Sequence, residues 1–277
     1  MKAISKMTNN NPELENLIDD FIITSQNALS MNWIISPLDY FWIDGKKTFD
    51  KVFHTVSTPS IAVDEQIAQI LFRNLLMQVN FRAKFMVAGY MIEPHLKKFS
   101  LEIEQGFLSF YSLDFISTIT NWIFVFEGVI RELFGLSSQK DILKFDKWTT
   151  MNSDDNYEQK LLDIFTQSLQ GFVENILFKS VDDKNLTVIN RHILSHGKVY
   201  NKAFYNQANA LRLVFALDSL LMIEMIQNQN FPKILNTSKI QEESIVNRTK
   251  LYQHLLKKNF DDYNLLKVEV LKEHLEK

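Results

Sequence analysis

The segment Asn206-Gln207-Ala208-Asn209-Ala210-Leu211-Arg212-Leu213-Val214-Phe215-Ala216-Leu217-Asp218-Ser219-Leu220-Leu221-Met222-Ile223-Glu224-Met225-Ile226-Gln227 decides the fold class. It is the most strongly helical stretch of the chain. Asn206 suits the N-cap position, where a side-chain oxygen takes a backbone N–H of the first turn. Leu211, Val214, Phe215, Leu217, Leu220, Leu221 and Ile223 supply the apolar residues behind it. The rest of the chain is of the same kind. Only 7 Gly and 5 Pro occur in 277 residues. So few turn-formers argue for long helices with few connections, against a sandwich or barrel. Apolar residues make up 46% and Phe alone contributes 22, which predicts a bulky aromatic core between helices. The expectation is an all-α multi-helix bundle.

Upstream, Asn11-Pro12-Glu13-Leu14-Glu15 reads as a helix start, with Pro in the first turn and acids near the positive end of the dipole. Leu14, Leu17, Ile18, Phe21 and Ile22 carry that helix to about Met31. Residues 32–60 break the pattern, and Asp44-Gly45 suits a tight hairpin turn. Trp33, Tyr40, Phe41, Trp42, Phe49 and Phe53 are expected to pin this segment onto the bundle, with a base-stacking surface as the alternative. Helical spacing returns over residues 61–99, and Pro94 kinks or ends that element. Arg73, Arg82 and Lys84 read as a solvated face, with phosphate contact as the alternative, and His95 as structural or exposed. Residues 101–135 are core helix; Glu127 within them is a buried-acid candidate, facing a partner or Arg131. The polar stretch 137–156 is the candidate boundary, after which residues 157–180 form an amphipathic helix. A short helix over 186–196 follows, stopped by Gly197. The predicted organisation is an N-terminal helical region over 1–150, a helical module over 151–232 and a charged helical extension over 233–277.

Several classes are disfavoured. With no cysteine there is neither a disulfide framework nor a thiolate metal site, which fits a reducing cytoplasm. The N-terminus lacks the apolar run of a signal peptide. The most apolar window, Phe115 to Leu136, is interrupted by Asn121, Glu127, Arg131 and Glu132, so it reads as a buried helix and not a membrane span. A net charge of −3 leaves any RNA contact to a local patch.

That patch is Asn190-Arg191-His192-Ile193-Leu194-Ser195-His196-Gly197, where several reactive groups crowd together. On a helical wheel Leu186, Ile189 and Ile193 share the face that packs inward, with His192 and His196 beside it. Arg191 points away from His196, so convergence on one phosphate needs an unwound helix end or a second copy of the helix. The set suits RNA cleavage without metal. A histidine near neutral pKa moves a proton to or from the 2′-hydroxyl and the leaving oxygen. A guanidinium holds two phosphate oxygens and stabilises transition-state charge. Two blander readings compete: His192 and His196 as zinc ligands, without an HExxH glutamate or a third ligand nearby, or Arg191 paired to an acid on a neighbouring helix.

Asn190-Arg191-His192, three residues, then His196-Gly197 resembles the active motif of the HEPN superfamily: Arg, a polar residue, a short gap, then His. The resemblance covers about residues 155–230. It implies a HEPN-like C-terminal module that dimerises, with two motifs facing across a cleft. It also implies a metal-independent endoribonuclease of toxin or anti-phage defence type, free of cofactors. His196 would be the general acid or base and Arg191 the phosphate ligand, oriented by His192 and Asn190. Ser195, Lys198 and Tyr200 would contact RNA, and an antitoxin or regulatory protein is a possible partner. A non-catalytic HEPN-like nucleotide, RNA or protein-binding module, and a plain helical interaction protein with the motif salt-bridged inside the fold, are the alternatives.

Overall fold

In the computed structural model the residues described are 12–42, 45–55, 59–76, 78–149, 152–153, 156–179, 188–191, 204–230 and 237–275. Most of them are helical, and no strand occurs among them. The helices are α1 (Pro12–Ser30), α2 (Pro37–Trp42), α3 (Gly45–Thr55), α4 (Ile61–Leu76), α5 (Val79–Phe85), α6 (Pro94–Lys97), α7 (Ser100–Tyr111), α8 (Phe115–Leu133), α9 (Asn156–Phe172), α10 (Gln207–Gln227) and α11 (Lys239–Leu275). Helix α5 runs on into a π-helical turn, Met86–Tyr90, and α9 into another, Val173–Leu177. No helix among the described residues is long and apolar enough to cross a membrane.

Helix α10 is the axis. Asn206 caps it, accepting from Asn209 N. Every residue from Ala208 to Ile226 is buried, the condition of a helix that is apolar on all sides. Helices α2, α4, α8 and α9 and the Met86–Tyr90 turn pack around it. Outside them, α3 lies on α1, α2 and α4, α7 lies on α8, and α11 covers α5 and α7.

The polar residues of α10 set its position within this shell, because a buried polar group without a partner is costly. Asp218 accepts from Arg82 Nη1 on both carboxylate oxygens, at 2.6 and 2.7 Å, and from Tyr90 Oη and Ser36 Oγ at 2.8 and 2.6 Å. Glu224 accepts from His95 N and Leu96 N, which start α6, and meets His95 Nδ1 at 2.8 Å. Asn228, just past the helix end, donates to buried Glu93 at 2.8 Å. Asp218, Glu224 and Asn228 thus tie α10 to separate parts of its surroundings.

The structure departs from the sequence expectations at definite places. Residues 37–55 hold α2 and α3, with no hairpin among the residues described. Their aromatics are in the core: Trp33, Tyr40, Phe49 and Phe53 are all at most 2% exposed. This is the pinned arrangement, built from helices instead of a loop. Pro94 opens a helix instead of ending one, at the first position of α6 where its missing N–H costs nothing. Arg82 lies on no solvated face: its side chain is fully buried between Asp39 and Asp218. Glu127 is the buried acid expected, and the partner it faces is Arg191, at 2.7 Å.

Candidate active site around residues 188–191

The short segment 188–191 is held by side chains from three directions. Ile189 N donates to Asn209 Oδ1 at 2.9 Å, and Asn190 Nδ2 donates to the Lys179 carbonyl at 2.7 Å, just beyond the π turn that ends α9. These long-range bonds replace a helical ladder: against the helix expected over 186–196, residues 188–190 are not helical, and of that stretch only 188–191 lie among the described residues. Ile189 is fully buried, as expected. Arg191 Nε then donates to Glu127 Oε1 of α8 at 2.7 Å, with the two side chains 18% and 9% exposed.

Asn209, in the first turn of α10, organises the site. Its Oδ1 accepts from Ile189 N and from Arg212 Nη1, and its Nδ2 donates to the Phe204 carbonyl at 2.7 Å. It therefore anchors the chain on both sides of residues 192–203. Arg212 is fully buried one turn further on. It donates from Nε to the Asn32 carbonyl at 2.7 Å, pairs through Nη2 with Asp64, and lies 4.3 Å above the Trp33 ring. Burial pushes the Arg212 pKa below its ordinary value, opposed by the Asp64 carboxylate. A cavity of about 540 Å³ opens alongside, between the end of α1, the start of α4, the π turn after α9 and the start of α10. Asn190, Lys179 and Arg212 are in its wall.

Of the residues singled out in the sequence, Asn190 and Arg191 are thus placed, with Arg191 paired to an acid from α8. His192, Ser195, His196, Lys198 and Tyr200 lie outside the described residues. Among the described residues no three His, Asp or Glu side chains gather as a metal site. Sequence reasoning missed Asn209, Asp64 and Arg212 altogether. The available signal was a polar residue inside an apolar helix, which requires a partner. Glu127 was visible by the same signal, but its partner is 64 residues away.

A second polar cluster lies deeper. Asp39, Arg82, Tyr90, Asp218 and Ser36 are all buried, joined by bonds of 2.6 to 2.8 Å. Burial lifts the Asp39 carboxyl to about 6; Arg82 opposes this and the nearby Asp218 adds to it. Burial alone would lower the Arg82 pKa, yet the two aspartates hold it above its ordinary value. Burial, then Asp218, raises the Tyr90 phenol well above its usual range. Sealed from solvent, this cluster joins α2, α5, the Met86–Tyr90 turn and α10.

Compared with family models, curated proteins and solved structures, the chain gives no significant match.

Proposed function

We propose that the chain is a metal-independent endoribonuclease of HEPN type, acting as a toxin or defence effector. In this reading Arg191 binds the scissile phosphate, His196 transfers the proton, and His192 and Asn190 orient them. Ser195, Lys198 and Tyr200 contact the RNA strand. The observation that carries the reading is the support given to Arg191. Its backbone is tied down through Ile189 and Asn190, and its guanidinium is aimed by Glu127. A phosphate ligand works best when its geometry is fixed before substrate arrives. Glu127 is a positioning residue, and a homodimer places two such motifs across one cleft.

The test is cleavage of a mixed RNA pool with chelator present. Arg191→Ala and His196→Ala are expected to abolish it, and full activity in both ends the assignment. Mixing the two inactive variants adds a second readout: a site that takes Arg191 from one protomer and His196 from its partner regains part of its activity. The Arg191–Glu127 pair also favours a second reading, a non-catalytic HEPN-like module in which the pair only holds α8 to the motif. That reading predicts that RNA stays intact on long incubation, while Glu127→Gln and Arg191→Ala lower the melting temperature alike.

A further inference from the structure

The cavity beside Asn190 plays no part in phosphate binding or proton transfer as proposed above, yet it is well constructed. Its volume of about 540 Å³ is within the range of small-molecule sites. Met31, Ile176 and Ile189, all buried, give it apolar walls. The side-chain amides of Asn32, Gln69, Asn175 and Gln207 also line it, and none makes a hydrogen bond among the described residues. An amide presents a donor and an acceptor in one plane, the pairing that reads the edge of an unstacked base.

Among the described residues the lining charges balance, Asp64 and Glu65 against Lys179 and Arg212. Arg212 is occupied by Asn32, Asn209 and Asp64, which leaves Lys179 as the exposed cation of the wall among the described residues. Such a wall does not suit a polyphosphate. It suits an uncharged ring carrying a single phosphate at its edge. The π turn Val173–Leu177 brings Asn175 and Ile176 to the wall, and such turns concentrate at functional sites. Asn190 belongs to the wall, and Arg191 is the next residue along the chain.

We propose that the cavity is a nucleobase subsite, which takes one unpaired base of single-stranded RNA next to the phosphate held at Arg191 and so selects where the strand is cut. This rests on the ribonuclease reading of Arg191 and His196. The experiment titrates the full chain calorimetrically with AMP, GMP, CMP and UMP, against ribose 5-phosphate and inorganic phosphate. At least one nucleotide is expected to bind tenfold or more tighter than ribose 5-phosphate. The double variant Gln69→Leu/Asn175→Leu, on exposed positions, is expected to lose that tenfold with unchanged melting. Glu65→Gln, also exposed, is expected to alter the ranking of the four bases. Binding no better than ribose 5-phosphate, or equal binding by the double variant, overturns the subsite. The two readings fail separately. Base-selective binding without cleavage of any RNA pool removes the nuclease and keeps a nucleobase site. Cleavage that depends on His196 but without base-selective binding removes the subsite and keeps the nuclease.

Discussion

Replacing the two aspartates around Arg82 one at a time tests how the buried cluster carries its charge. Asp218 receives four hydrogen bonds, from Arg82 twice, Tyr90 and Ser36. Asp39 receives Arg82 Nη2 on one oxygen, while its Oδ1 is buried without a partner. Asp218→Asn turns an acceptor into an amide that faces donors and leaves Arg82 a single counter-charge. Breaking a buried pair in this way costs about 3–5 kcal/mol. At roughly 2 °C per kcal/mol for a chain of this size, melting falls by about 6–10 °C. Asp39→Asn keeps an acceptor toward Arg82 and puts an NH₂ where the carboxylate has its unpartnered oxygen, so it is expected to cost under about 2 kcal/mol at pH 7. The pH dependence follows from the Asp39 carboxyl at about 6 in the folded protein against 3.8 for an ordinary aspartate. Here the folded state holds the proton more tightly than the unfolded one. Stability from this group is therefore greatest below pH 4 and is lost as pH rises to 6, by about 3 kcal/mol. Asp50 and Asp141, whose carboxyls are held below the ordinary range, act in the opposite direction. Subtracting Asp39→Asn from wild type cancels them. Urea unfolding of both proteins from pH 4 to 7 should show wild type losing about 2.4 kcal/mol relative to the variant. A difference that is flat with pH, or an Asp39→Asn variant as damaged as Asp218→Asn at pH 7, would refute the reasoning.

Two further substitutions test the packing that frames the site. An added Cβ at Gly106 would lie 1.9 Å from Trp122 Nε1, and Trp122 is fully buried with its N–H on the Ile103 carbonyl. Gly106→Ala is therefore expected to cost about 3 kcal/mol, read as a lower urea midpoint, and an unchanged midpoint would mean that α7 and α8 are not so closely packed. Asp114 caps α8 by accepting from Ser117 N at 3.1 Å, so Asp114→Ala should cost about 1 kcal/mol in thermal melting, with Asp114→Ser restoring most of it.

The all-α class and the longer helices were legible in the residues alone. Periodicity located α1, α10 and the run of α9 with its π-helical turn to within a few residues, because a 3.6-residue repeat and its caps are local properties of the chain. Short elements were not legible. Asp44-Gly45 carries a hairpin signal, yet Gly45 lies in α3, where a Cβ would sit 2.3 Å from the Asp39 carbonyl oxygen. The glycine answers a close approach between α2 and α3, which no turn preference encodes.

By itself the sequence determined that the chain is helical and aromatic-cored, that α10 is apolar enough to be buried, and that reactive residues crowd around Arg191. Tertiary structure alone decided what each buried polar group meets. Arg82 reads like any basic residue on a helix until Asp218, 136 positions later, is folded against it. Glu127 finds Arg191 across 64 positions, and Asn209 finds Ile189 across 20. The apolar pattern states which faces leave water, since burial is roughly proportional to area and has no direction. Hydrogen bonds and ion pairs are directional and short-ranged, so their partners exist only once the helices have packed.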